Sequence, residues 1–191
     1  MSDVTRILIN IEQGDSQASE KLFPLVYAEL RRLAAQKLAQ EKPGQTLQAT
    51  ALVHEAWIRL VGNDQKKSWN SRNHFFSAAA EAMRRILVES ARRKVAQKRG
   101  GAEGRAQFDP SQADFAVAAA PSEVVAVHDA LDALAAADPL TAGVVTLHYF
   151  GGFSLEEAAE LLGITRATAY RLWTYGRTWL RAALQDDMSS N

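Results

Sequence analysis

This chain has no clear pattern of apolar and polar residues alternating with the period of two that a half-buried strand needs. Apolar residues instead return every three or four positions. Leu22, Val26, Leu30 and Leu33 form one such series; Leu52, Val53, Ala56, Trp57 and Leu60 form the next. Between them stand Ala, Leu, Glu, Arg and Gln, the residues that lose least in a helix. The pattern restricts the chain to an all-α fold, and glycine and proline divide it. Helices are predicted over 4–13, ending at Gly14, and over 16–40, broken by Pro43-Gly44. A third starts near Gln48 and stops before Gly62-Asn63-Asp64, and a fourth runs over 72–99 to Gly100-Gly101.

Residues 101–121 differ from their neighbours. They are rich in Gly, Ala, Pro, Ser and Gln and have no clear period, which reads as a flexible linker. A second unit follows over 122–186, with helices predicted at 122–136, 139–150, 154–162 and 165–184 and a disordered tail at 187–191. The expected architecture is therefore two small helical domains, 1–100 and 122–186, on either side of a linker.

The 191 residues carry no net charge, which at first argues against a nucleic-acid partner. The charges are segregated, however. Arg84, Arg85, Arg92, Arg93, Lys94, Lys98, Arg99 and Arg105 are opposed in their stretch only by Glu89 and Glu103. Residues 106–160 contain acids but no Lys or Arg, and from Leu161 to Leu184 the only charges are Arg166, Arg171, Arg177 and Arg181. Two basic patches flank an acidic middle, and each is a local surface for phosphate. The acidic linker, with Asp109 and Asp114, is expected to shield those surfaces in the free protein.

Other function classes find little support. There is no cysteine, hence no disulfide or thiolate site, which fits a reducing compartment. No run approaches the roughly 18 apolar residues of a membrane span. The opening residues lack the cationic lead of a signal peptide. His54, His74, His128 and His148 are scattered, no HExxH follows His54-Glu55, and no strand precedes Gly100-Gly101 and Gly104 to make a phosphate loop. Neither a metal, a cofactor nor a nucleophile–base pair is expected.

The most specific local signal is SLEEAAELLGITRATAYRLWTYGRTWLRAAL, residues 154–184. Ser154 and Glu157 have the spacing of a capping box. Ala158, Ala159 and Leu162 form a narrow apolar face, and Gly163 stands where a helix-turn-helix needs a left-handed residue. Thr165 suits the N-cap of the following helix. Ala169, Leu172 and Trp173 are predicted to face inward, leaving Arg166, Thr168, Tyr170, Arg171, Thr174 and Arg177 on the other sides. Arginines along such a second helix suit a major groove; a helical hairpin with a solvated cationic face is the alternative. The fourth helix has an aromatic front, with Trp69, His74, Phe75 and Phe76, and a cationic back. Aromatics beside cations can hold unpaired bases, though the aromatics taken singly read better as core.

These elements resemble, over nearly the whole chain, the extracytoplasmic-function (ECF) sigma factors of the sigma-70 family. TALVHEAWIRL, residues 50–60, is similar to the region 2 helix that docks on the clamp helices of RNA polymerase. The segment SWNSRNHFFSAAAEAMRRILVESARRKVAQKRGG resembles the helices that melt and read the −10 element. LHYFGGFSLEEAAELLGITRATAYRLWTYGRTWLRAAL resembles the helix-turn-helix of region 4 that reads the −35 element. Thr50-Ala51 stands where many such factors have an acidic residue, and Glu81-Ala82 replaces the usual Arg-Asn.

The resemblance implies a promoter-specificity subunit without enzymatic activity or cofactor, acting in the cytoplasm. Its partners would be RNA polymerase core, through the clamp helices of β′ and the flap of β, and promoter DNA, with an anti-sigma factor or other regulator left open. His54, Glu55, Ile58 and Arg59 would dock on core. Trp69, Arg72, His74, Phe75, Arg84, Arg85, Arg92, Arg93 and Lys94 would serve −10. Arg166, Thr168, Tyr170, Arg171 and Thr174 would read −35, with Arg177 and Arg181 on phosphate. The rival readings are a stand-alone helix-turn-helix regulator and a pure interaction protein.

Overall fold

Among the described residues the apolar spacing is realised as eight α-helices. A computed structural model describes residues 3–13, 17–39, 49–61, 71–99 and 120–189. The helices are α1 (Asp3–Glu12), α2 (Ala18–Ala39), α3 (Ala49–Val61), α4 (Arg72–Arg99), α5 (Pro121–Ala137), α6 (Pro139–Val145), α7 (Leu155–Leu162) and α8 (Arg166–Ser189). No strand occurs among the described residues. The expected linker lies outside them except for its last two residues, where Ala120 caps α5 and Pro121 begins it. Asp109, Asp114 and Trp69 also lie outside. α8 continues to Ser189, into the stretch expected as a tail; no Gly or Pro stands there to stop it.

Each helix buries the face its sequence marks. α2 buries Leu22, Val26, Leu30 and Leu33 and continues through Pro24; α3 buries Leu52, Val53, Ala56 and Leu60, with Trp57 half-buried. α4 buries residues nearly all round: Phe75, Phe76, Ala79, Ala80, Met83, Ile86, Leu87 and Val88 are in the core. A helix so covered needs neighbours on several sides. α3 covers one side of it. α5, α7 and the segment after α6 cover others.

Consequently the two helical groups pack together, and one continuous apolar cluster runs from Leu8 to Leu184. Phe76 meets Phe153 edge-on with ring centroids 6.1 Å apart. Lys37, 6% exposed, places its ammonium 4.0 Å from the centroid of Tyr149. The turn after α6 fits closely against α2. Gly152 has φ +75°, and a Cβ there would come within 2.4 Å of the carbonyl oxygen of Leu33. Only glycine permits both the backbone conformation and that approach.

The helix predicted over 139–150 is interrupted. Asp138 caps α6, accepting from the amide of Thr141 at 3.0 Å and from its hydroxyl at 2.6 Å. From Thr146 to Phe150 the chain widens into a π-helical turn, closed by the Gly151 amide donating to the Thr146 carbonyl at 3.0 Å. The turn carries Tyr149 and Phe150 towards the N-terminal helices, where both are buried.

Candidate nucleic-acid interface

α7 and α8 form a capped helix-turn-helix. Ser154 Oγ accepts from the Glu157 amide at 3.1 Å, and Glu157 Oε2 accepts from the Ser154 amide at 2.7 Å. This is the reciprocal box expected from the sequence. α7 ends at Gly163, whose φ of +66° is left-handed. A Cβ there would meet nothing within 4 Å, so the conformation rather than crowding calls for glycine. Thr165 Oγ1 accepts from the Thr168 amide at 3.1 Å and caps α8.

On α8, Ala169, Leu180 and Leu184 are buried, and Leu172 and Trp173 are half-buried. Trp173 is fixed by the edge of His148 at 4.6 Å, while His148 Nδ1 lies 2.6 Å from the Phe153 carbonyl and donates to it. Burial holds the His148 pKa below its ordinary value. Residues 166, 170, 174, 177 and 181 recur at helical spacing and share a face. Arg166, Tyr170 and Thr174 are exposed on it, as is Arg171 beside it; Thr168, Arg177 and Arg181 are intermediate. The Thr174 hydroxyl turns back onto the Tyr170 carbonyl at 2.9 Å. The Arg177 guanidinium lies 5.8 Å from the Trp173 ring.

One residue of this surface escaped the sequence reading. Glu156 Oε1 accepts from Arg166 Nη2 at 2.7 Å and from Tyr170 Oη at 2.8 Å. Those two hydrogen bonds pull its pKa down to about 2, with Arg166 the larger cause. They also raise the pKa of Arg166 and of Tyr170 above their ordinary values.

The second cationic element presents a different surface. Arg84 is buried. Its Nε donates to His128 Nδ1 at 3.0 Å, its Nη2 is paired with Asp132, and its Nη1 lies 3.5 Å from Glu81. Arg92 reaches Asp129 at 3.3 Å, and Arg85 pairs with Glu81 at 3.0 Å. Arg72 stacks 4.7 Å over Phe76 and lies 3.8 Å from Glu29. Phe75 is fully buried between Phe76 and Trp57, on the core side of its two readings. His74 and Arg93 are exposed, and Lys94 is intermediate. Among the described residues, Asp129 and Asp132 of α5, Glu29 of α2 and Glu81 of α4 itself meet the arginines of α4; the expected shielding by Asp109 and Asp114 falls outside those residues. Burial and the neighbouring Arg84 lower the pKa of His128.

On α3, Ile58 is 60% exposed and His54 is exposed. Arg59 donates to Glu55 at 3.0 Å and makes a bidentate pair with Glu89 of α4, at 2.8 and 2.7 Å. That pair holds Glu89 below the usual carboxylate range. Among the described residues no cluster of three metal-ligating side chains is found, and no helix is long and apolar enough to cross a membrane.

The family model for the ECF sigma factor matches residues 1–186. The chain belongs to this family. An ECF sigma factor is a DNA-binding factor of transcription initiation, not an enzyme, and its role implies RNA polymerase core and promoter DNA as partners. No curated protein matches the chain.

Proposed function

We propose that this ECF sigma factor binds RNA polymerase core in the cytoplasm and directs initiation at a specific class of promoters, with 1–100 serving as region 2 and 122–186 as region 4. The observation that carries the reading is the capped helix-turn-helix whose second helix exposes Arg166, Tyr170, Arg171 and Thr174. Arg171 is exposed, has no ion pair among the described residues, and supplies a bidentate donor for guanine in a −35 duplex. Arg177 and Arg181, on the flank of that helix, lie where phosphate contacts fix its register.

α3 offers the docking face. Ile58 is the apolar anchor, flanked by His54 and by the Glu55–Arg59 pair, for the clamp helices of β′. For the −10 element, α4 supplies the exposed His74 and Arg93 at once, and Arg85 when it exchanges Glu81 for phosphate. Arg92 need only leave its exposed pair with Asp129, whereas the buried Arg84 becomes available only when α5 withdraws, so its engagement with promoter parts the α4–α5 contact.

Run-off transcription with purified core polymerase on a promoter library tests this reading. Start sites that depend on the added protein, with a shared −35 sequence, are the expected result. Sequence-specific duplex binding without core association would overturn it in favour of a stand-alone regulator.

A further inference from the structure

Glu156 is an acid on a surface meant for a polyanion. It repels phosphate, so its presence calls for a compensating role. Stability does not supply one: the Arg166 side chain is 73% exposed, and ion pairs at such positions contribute little. Its neighbour Glu157 already completes the α7 capping box and pairs with Arg32 at 2.7 Å. Glu156 instead leaves α7 and meets α8, where a single oxygen accepts from the first residue of that helix and from the residue one turn later.

We infer that Glu156 is a positioning residue that fixes Arg166 and Tyr170 side by side for base discrimination in the −35 duplex. The inference rests on the sigma factor reading above. A guanidinium has five N–H donors, and the contact to Glu156 occupies Nη2, leaving the Nε and Nη1 donors for DNA. Tyr170 donates its proton to Glu156, so its oxygen faces the duplex as an acceptor. Two long side chains held before binding lose less rotamer freedom on binding than two loose ones. The acid thus lowers affinity for any DNA and sharpens the choice among sequences.

The experiment compares the full chain with E156A and E156Q in two measurements. The first is run-off transcription with core polymerase on a library randomised at −35. The second is binding to an unrelated duplex at low and high salt. Both variants remove one negative charge, so both should bind the unrelated duplex about two- to threefold more tightly at low salt, with the gain lost at high salt. Base preference should fall about tenfold in E156A at the positions read by Arg166 and Tyr170. E156Q, whose amide oxygen still accepts from both donors, should keep part of it. A merely structural glutamate would not separate affinity from preference in this way. If E156A keeps the parent's base preference, the inference is overturned while the sigma factor reading stands. If the parent protein itself selects no −35 sequence, that reading fails and this one with it.

Discussion

α4 and α8 are both long helices that carry a row of arginines, and the protein treats the two rows in opposite ways. On α4 four arginines are met by acids from within the chain, Arg84 by Asp132, Arg92 by Asp129, Arg85 by Glu81 and Arg72 by Glu29, while Arg93 is exposed. On α8, Arg171 stands exposed, and Glu156 holds Arg166 without covering it. The difference follows from packing. α4 is buried on several sides, so many of its arginines lie beside whatever covers it. α8 buries one stripe and leaves the rest to solvent. Arginine content alone therefore does not mark a ready phosphate surface; occupancy by internal acids decides.

The contrast can be broken most sharply at the contact between the two helical groups. Gly152→Ala places a side chain against the Leu33 carbonyl at a positive φ and should cost about 3 kcal/mol in chemical unfolding. X-ray scattering should show a larger radius of gyration; an unchanged radius would mean that the groups are held together elsewhere. Arg84→Ala comes next, at about 2 kcal/mol, because a buried guanidinium is lost while Asp132 regains water. On the other side of the comparison, Arg171→Ala should leave stability within about 0.5 kcal/mol of the parent and weaken −35 duplex binding about tenfold. A large loss of stability there would put Arg171 on the same footing as Arg84.

The smallest effect expected is on pH. The pKa values of His128 and His148 are lowered from 6.5 in the folded chain, so both are held neutral. Around His128 stand Arg84 and Arg92, which oppose its protonation, and Asp129 and Asp132, which favour it. Burial and the arginines prevail. An unfolded chain then binds more protons than the folded one below about pH 6.5. Stability is full above that value and falls as pH drops through the window below it. Thermal midpoints at pH 7.5 and 5.5 check the sign, and His128→Gln should flatten the decline.

Much of this was legible in the sequence where the cause is local. The α4 boundaries fall where Gly100 and the helical pattern place them, and the Ser154–Glu157 box, Gly163 and the Thr165 cap all have fixed short offsets. What escaped depends on partners remote in the chain. Arg84 and Asp132 lie 48 residues apart, and Arg32 and Glu157 lie 125 apart. Read singly, each is a solvated charge on a helix. The need for Gly152 comes from the Leu33 carbonyl of α2, more than a hundred residues away, and no local pattern announces it. Glu156 read as one acid among several, since its meaning comes from the angle between α7 and α8. Phe75 and Phe76, taken singly, read better as core than as base-stacking rings, and burial by α3 and the 146–153 segment puts both inside.

The most direct test of this occupancy difference is a distance between the two groups, measured before and after engagement. The chain has no cysteine, so Ala28→Cys on α2 and Ala133→Cys on α5, both exposed and outside the α3 docking face, take a pair of labels. The account expects one narrow distance distribution in the free protein and a longer one in the complex with core polymerase and promoter DNA. A broad distribution in the free protein, or a distance that core and promoter leave unchanged, would contradict it.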